Sequence, residues 1–594
     1  MASAKEQMSQ EKTNLKYYIK LLYPFVKKDL GLLLFGLFAM LCTSALQLVY
    51  PLILAEIIDK SIPQGDVASM YRFGAFFVAA VIVAGVLSYL QIVLLSKLGV
   101  KIITKFKAGV FRHLLTLPVE WFSRQQVGEL IARVESDAER VKALFSELSI
   151  RIIGNLLFFL GVFVVMFLRD WKVASCILPM MAVAIVGYYF LIKYLSKFYR
   201  LIREKNALVT AKITDYVQGM PIIQALNQQK KVFDDLKAAS TDKYRLETRT
   251  SFTEYGSQSL FMLVFEVLLL VLIIKLTAPR IIAGAMTLGT LILFVDYFFR
   301  MIWPLRQISE NVMQIQRAFV SLKRILELTS LQSEEELFTG TRLPSFDSEI
   351  RFEHVWFAYK DEDWVLKDVS FTIPKGKKIA LVGASGSGKT TTVNLLCGFY
   401  PIQKGRILID GVPLSEIDFR AWRRKIGLIL QDVFLFPGSI LENVRVYNDT
   451  VSEAKVREVI NIVQLDEFIR GQNLGLDSEL AERGQNISQG EKQLISFARA
   501  LAFEAELIIM DEATASIDPH TEAKIQHSME TVLSNKTAVV VAHRLTSVLD
   551  ADEILFFDGG EIIHRGKHQQ LMQSSKEYRK LVELQFIGTE NADE

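Results

Sequence analysis

The sequence is poor in cysteine. Its 594 residues hold three, Cys42, Cys176 and Cys397, and none is placed to pair with another. Reduced thiols and no disulfide framework are expected. Charge of one sign is also missing: the formal net charge is only +3. Without a basic surplus or a basic face there is no signal for nucleic acid, which speaks against a soluble machine acting on DNA. A cleavable leader is not expected either. The first 29 residues are polar and basic, and the apolar run behind them is too long for one.

What abounds is hydrophobic residues, 51% of the chain, with the excess in the first 310 residues. The length exceeds one core, so two or more domains are expected. Six apolar stretches stand out, at residues 30–54, 73–95, 150–168, 173–195, 260–276 and 281–303. Each is near the roughly 20 residues a helix needs to cross hydrocarbon. They scarcely alternate polar and apolar faces, as helices of a soluble core would.

Basic residues set the orientation. They crowd the N-terminus from Lys5 to Lys28, the second-to-third connection from Lys97 to Lys142, and the fourth-to-fifth from Lys197 to Arg249. The other three connections are short and hold few. The positive-inside rule then places the N-terminus, both long connections and everything after Trp303 in the cytoplasm. Residues 119–142 and 206–237 keep apolar residues at helical spacing, so they read as spans extended into the cytoplasm. Within them Glu120-Trp121-Phe122 and Met220-Pro221-Ile222-Ile223 read either as short helices that touch the second half of the chain or as parts of solvated helical hairpins. Residues 15–28 have the pattern of an amphipathic helix on the membrane surface.

Three ionisable residues fall inside spans, where charge is costly. Glu266 is midway along the fifth. Asp296 and Arg300 are four apart on the sixth and share a helix face. They read as a structural ion pair or as a polar patch lining a substrate cavity. Glu266 either faces that cavity or pairs with another helix.

Behind a charged, turn-rich linker at 330–348 the pattern changes. Strand-like runs at 350–359, 365–373, 378–382, 426–430, 507–510 and 538–541 alternate with helices. An α/β domain around a mainly parallel sheet is expected. Gly383-Ala384-Ser385-Gly386-Ser387-Gly388-Lys389-Thr390 fits G-x-x-x-x-G-K-[ST] between a strand and a helix that opens at Thr391. Small residues let backbone N–H groups curl round phosphates, and the helix N-terminus adds its positive dipole. Lys389 is placed to reach the β- and γ-phosphates, and the Thr390 hydroxyl to bind Mg²⁺. Leu507-Ile508-Ile509-Met510-Asp511 is an apolar strand ending in a carboxylate suited to Mg²⁺, and Glu512 next to it is suited to orient an attacking water. Ile487-Ser488-Gln489-Gly490-Glu491 opens another helix, with Ser488 and Glu491 as an S-x-x-E capping box.

The order of phosphate loop, glutamine after a strand (Gln431), capped segment, Asp511-Glu512 and Ala542-His543-Arg544 resembles an ABC-transporter ATPase. The resemblance covers nearly the whole chain. Six spans and one ATPase resemble a half-size exporter of the multidrug or lipid type. It implies that Ser488 and Gly490, with Gln489 and Glu491 in the signature segment, meet the γ-phosphate of ATP held by a partner subunit. It implies that Tyr359 stacks on adenine, that Gln431 senses Mg²⁺ and links to the membrane half, and that Glu482-Arg483-Gly484 touches the cytoplasmic loops. Asp518 would lie at the ATPase dimer interface, and His543 would contact the γ-phosphate.

The signature departs from the family's pattern. Gln489 stands for a glycine, and Glu491 for a glutamine, which adds a negative charge near phosphates. The phosphate loop, Glu512 and His543 are intact. This asymmetry resembles bacterial heterodimer subunits, in which another chain supplies the better signature.

The expectation is an α-helical transmembrane bundle of six spans followed by an α/β P-loop ATPase domain. The parts are an N-terminal segment (1–29), the membrane domain (30–329), the linker, the ATPase (349–586) and an acidic tail (587–594). ATP and Mg²⁺ are the cofactors, and an amphipathic or lipid-like molecule is the cargo, exported across a bacterial inner membrane. A homodimeric lipid flippase and an ATP-gated channel are the alternatives.

Overall fold

The computed structural model describes residues 27–145, 147–360, 362–471, 475–511, 519–542 and 548–583. The surface helix expected at 15–28 lies almost wholly outside the described residues, as do Glu512, Asp518, His543 and the acidic tail. The chain divides into two compact units. One holds Val127–Ser330 and the residues before Leu115; the other holds Leu331 onward together with Leu115–Gln126.

Six long helices build the first unit: Leu30–Glu56, Val67–Leu114, Glu147–Arg169, Trp171–Gln218, Gln229–Ile282 and Leu288–Thr329. Among the described residues five stretches, on the first five of them, are apolar and long enough to cross a membrane. The sixth carries Asp296 and Arg300. The sixth span was expected from residue 281. Instead the fifth helix runs through Ile282, and Gly284 makes the turn at φ +70°. A left-handed residue there ends one helix before Thr287 caps the next, accepting from Thr290 N–H at 3.3 Å. Asp170 caps the fourth helix in the same way, with bonds from Lys172 and Val173 N–H.

The first helix ends in a π turn, Ile57–Ser61, that places Asp59 against the start of the sixth helix. Gly289 N–H donates to Asp59 Oδ1 at 2.6 Å. A Cβ at residue 289 would lie 2.4 Å from the Ala55 carbonyl oxygen, so the close approach needs glycine. Lower in the same pair, the buried Tyr297 hydroxyl donates to the Leu48 carbonyl at 2.6 Å. Beyond the spans, the short helix Ser136–Phe145 packs on the end of the sixth helix through Asp137, 2% exposed. Its carboxylate accepts from Ser321 Oγ at 2.8 Å and from Arg140 at 2.9 Å, and lies 3.5 Å from Arg324.

The second unit has two larger sheets and a two-stranded one, β7 (Gly438–Ser439) with β8 (Glu479–Leu480). β1 (Glu349–Ala358), β2 (Trp364–Pro374), β4 (Lys404–Ile409) and β5 (Val412–Pro413) form an antiparallel sheet in the order β2-β1-β4-β5. β3 (Lys378–Gly383), β6 (Ile426–Ile429), β9 (Leu507–Asp511), β10 (Thr537–Val541), β11 (Glu553–Asp558) and β12 (Glu561–Gly566) form the other, in the order β12-β11-β3-β10-β9-β6. From β11 to β6 every pair is parallel, and β12 adds an antiparallel edge. The mainly parallel sheet is as expected, but the runs at 350–359 and 365–373 lie outside it: they pair with each other, and the first also with β4, in an antiparallel sheet. The parallel strands are buried on both faces, which is why they read as unbroken apolar runs.

The segment Leu115–Gln126 belongs to this second unit although it lies between membrane helices in sequence. It carries the expected short helix, Val119–Ser123. Its counterpart Met220–Ala225 is also helical and belongs to the first unit.

Candidate functional site

β10 pairs with β3 on one side and β9 on the other, and Val541 is level with both Leu381 and Asp511. The loop after β3 and the carboxylate closing β9 therefore leave the sheet at the same end, where parallel α/β sheets place ligands. The loop turns at Gly383 (φ +152°), Gly386 (φ +79°) and Gly388 (φ +106°). At Gly383 a Cβ would stand 2.2 Å from the Phe557 carbonyl oxygen, so the loop lies against β11 with no room for a side chain. Gly388 is the N-cap of the helix Lys389–Leu396, and a Cβ there would meet Leu366 Cδ2 at 2.5 Å.

Lys389 is 5% exposed. Its ammonium donates to the Gly383 and Ala384 carbonyl oxygens, each at 2.8 Å, and lies 3.5 Å from Ser387 Oγ. Burial pulls its pKa below the usual lysine range, opposed by the Asp511 carboxylate. Thr390 Oγ1 faces Asp511 Oδ2 at 3.5 Å. A hydroxyl and a carboxylate converging beside a phosphate-type loop are the hard oxygen donors that suit Mg²⁺. Ser385 and Gly386 are exposed on the loop, and Ser387 and Thr391 are buried beneath it. Gln431 follows β6 and is exposed.

Tyr359 follows β1 directly. Its hydroxyl is 3.2 Å from Thr391 Oγ1 and accepts from Asn394 Nδ2 at 3.3 Å. Its ring meets Phe357 and Tyr400 edge to face, with centroids 4.9 and 5.1 Å away. Arg124 Nη2 donates to the Tyr359 carbonyl at 2.7 Å, and Tyr400 hydroxyl donates to Ser123 Oγ at 3.3 Å. Asn394, Tyr400 and Arg124 were not expected here. Arg124 is 235 residues from Tyr359, and only its place behind Glu120-Trp121-Phe122 hinted at such a contact.

The capping box at Ser488 is formed, and Ser488 caps the helix Gln489–Ala502. One carboxylate oxygen of Glu491 accepts from both Ser488 N–H (2.7 Å) and Ser488 Oγ–H (2.8 Å). Gln489 is exposed and Gly490 buried. Nearby, Arg483 (φ +54°) and Gly484 (φ +62°) make a left-handed turn, with Glu482 and Arg483 exposed.

In the first unit, Arg300 Nε donates to Asp296 Oδ2 at 2.6 Å. The pair lines a cavity of about 280 Å³ together with Tyr50, Leu54, Gly74 and Phe77. Glu266 is half-buried on the fifth helix beside Phe265 and does not line this cavity.

Similarity to known proteins covers both units. The family described as ABC transporter transmembrane region matches residues 33–305, and the family described as ABC transporter matches residues 366–515. The probable multidrug resistance ABC transporter ATP-binding/permease protein YheH of Bacillus subtilis is 33% identical over 84% of this chain and 74% of its own length. The putative ABC transporter ATP-binding protein exp8 of Streptococcus pneumoniae is 29% identical over 94% of this chain and 96% of its own. The ATP-dependent lipid A-core flippase of Haemophilus ducreyi is 30% identical over 90% and 92%. A bundle of long apolar helices, a phosphate loop on a parallel sheet and these relatives lead to one conclusion: the chain belongs to the ABC transporter family, as a half-size exporter that joins one membrane region to one ATP-hydrolysing domain.

Proposed function

We propose that this chain is one half of a heterodimeric exporter that moves amphipathic molecules or lipids out across a bacterial inner membrane. The ATPase unit and N-terminus face the cytoplasm, as the basic connections suggest, and the sixth long helix is the sixth span.

Lys389 holds the β- and γ-phosphates of ATP once its ammonium turns from the Gly383 and Ala384 carbonyls to the stronger charge. Its lowered pKa reflects a desolvated cation, which a phosphate would re-pair. Thr390, Asp511 and Gln431 are the residues that would hold Mg²⁺. When bound, the ion neutralises phosphate charge during transfer. Tyr359 supports the adenine side, its ring braced by Tyr400 and its hydroxyl tied to the helix Lys389–Leu396. Glu512 orients the attacking water, His543 contacts the γ-phosphate and Asp518 joins the ATPase interface, all by resemblance. ATP binds the closed ATPase dimer better than the open one, and that difference in affinity drives the membrane cavity outward.

One observation carries the heterodimer. The groups of Ser488 that a phosphate would use, its N–H and its hydroxyl, are bonded to the negative carboxylate of Glu491. A phosphate from the opposing subunit meets both a competitor and a like charge there. The site served by this signature is then the weaker one, and the phosphate loop of this chain needs a signature from elsewhere. The test is to purify the tagged full-length chain from its native membrane and measure the mass and composition of the assembly. A second half-transporter in equal amount is expected; two copies of this chain alone would replace the heterodimer by the homodimeric flippase.

A further inference from the structure

We propose that the cavity beside Asp296 and Arg300 binds the headgroup of a zwitterionic amphiphile, a phosphate joined to an ammonium. The proposal rests on the exporter reading above and names the cargo chemistry of this site.

The cavity lies among the first, second and sixth long helices. Asp296 is eight residues and Arg300 twelve residues beyond Leu288, the start of the sixth helix. At about 1.5 Å per residue these are roughly 12 and 18 Å along an apolar helix. With this helix read as the sixth span, both would lie within a hydrocarbon layer about 30 Å thick, where ionisable side chains are costly to keep.

The pair is only half used. One bond joins Arg300 Nε to Asp296 Oδ2, at 2.6 Å. Among the side chains described, which do not include those of residues 302–313, the two terminal nitrogens of Arg300 and Oδ1 of Asp296 make no further hydrogen bond. Donors for an anion and an acceptor for a cation therefore stand side by side at the wall of one cavity. Aromatic rings flank them. The Arg300 guanidinium carbon is 5.9 Å from the Tyr50 ring centre, and Tyr50 meets Phe77 edge to face at 5.5 Å. These faces also favour an ammonium. Gly74 adds no side chain to the wall, and about 280 Å³ is room for a headgroup rather than a whole lipid.

Charge balance decides the ligand class. The bare pair is neutral. A lone cation would draw Asp296 away and leave Arg300 uncompensated; a lone anion would do the reverse. Either result strands a charge in a poorly polarisable medium. A zwitterion gives each member a partner and leaves no net charge, so the site selects for it and against singly charged amphiphiles.

The experiment uses the purified assembly containing the full chain, in lipid nanodiscs. ATPase stimulation is titrated with three single-chain probes of matched length: a lysophosphatidylethanolamine, a lysophosphatidylglycerol and an alkyltrimethylammonium. The wild type is expected to respond to the zwitterion at the lowest concentration. Asp296→Asn should raise the half-maximal concentration of the zwitterion at least tenfold and lower that of the anionic probe. Arg300→Gln should do the same in favour of the cationic probe. The exchange Asp296→Arg with Arg300→Asp should restore the zwitterion preference, and if it does not fold the two single variants still decide. No response to the zwitterion, or one probe order shared by all variants, overturns the proposal. So does loss of thermal stability in each single variant that Asp296→Asn with Arg300→Gln recovers while the probe order stays fixed, the signature of a purely structural pair. Lys389→Ala serves as the separate control: turnover that survives it would overturn the ATP-site reading itself.

Discussion

At the scale of single residues, the ATP site is a matter of where charges are bonded. Lys389 is buried and held by two carbonyl oxygens of its own loop, so its ammonium is aimed rather than free. Lys389→Ala removes that charge and should abolish most ATP turnover in the purified assembly. Glu512→Gln should leave ATP bound but lower steady-state hydrolysis at least about 10²-fold, as loss of a general base does; near-normal turnover would remove Glu512 from that role. Glu491 is the residue with two effects of opposite sign. Its carboxylate caps the helix Gln489–Ala502, and it also occupies the donors of Ser488. Glutamine keeps an acceptor at the cap but carries no charge. Glu491→Gln should therefore raise kcat/KM for ATP, whereas Glu491→Ala loses the carboxylate half of the capping box and should lower the melting temperature. If glutamine and glutamate give equal kinetics at low salt, the charge has no part in the weakness of this signature.

At the scale of elements, the spans and the strands differ in how far sequence could place them. Uniform apolar runs betray long helices because every face must suit lipid; five of the long helices hold the first five runs, and the sixth begins at Leu288, inside the run expected from 281. Periodicity does not say which sheet a strand joins, so β1 and β2 could not be separated from the parallel core. β4, β11 and β12 went unread: charged residues interrupt β4 (Lys404, Arg406) and β12 (Glu561, Arg565), and the apolar run of β11 is short, held between Glu553 and Asp558. The phosphate loop was readable because its chemistry is local, packed into eight consecutive residues. The Arg124–Tyr359 bond was not, because it joins residues that only the fold brings together. Asp137 is another such residue. Asp137→Ala removes its bonds to Ser321 and Arg140 and should cost about 1.5–3 kcal/mol, the worth of a hydrogen bond to a charged group. A melting temperature equal to that of the wild type would show that the Ser136–Phe145 helix is held by packing alone. The end of the ATPase unit offers a pH test. His568 Nδ1 is 2.8 Å from the Tyr578 hydroxyl, and burial lowers its pKa below 6.5. A histidine depressed in the fold stabilises it above about pH 6.5, and that contribution is lost as pH falls through the lower folded value. Thermal unfolding between pH 7.5 and 5.5 should show this loss, and His568→Gln should flatten it.

At the scale of the whole molecule, the unequal quality of the ATP machinery within one chain predicts an unequal pair. The phosphate loop, Thr390 and Asp511 stand together at the end of the parallel sheet. The signature helix instead carries in its first turn an acid bonded to the serine that caps it. In a head-to-tail dimer a signature serves the ATP of the opposing chain, so these two features act at different sites. The phosphate loop of this chain belongs to the site completed by the partner's signature, and the Ser488 segment to the other. Damage to the two signatures must then have different consequences. Ser488→Ala removes a hydroxyl already bonded to Glu491 and should cost less turnover than the matching change in the partner. The difference should shrink when Glu491→Gln is added, because Ser488 then has an uncharged neighbour and more to lose. The measurement is ATPase activity of the co-purified pair, with each signature altered alone and with Ser488→Ala repeated in the Glu491→Gln background. Equal and severe losses from both signatures would mean two equivalent sites, and the symmetric exporter would take the place of the asymmetric one.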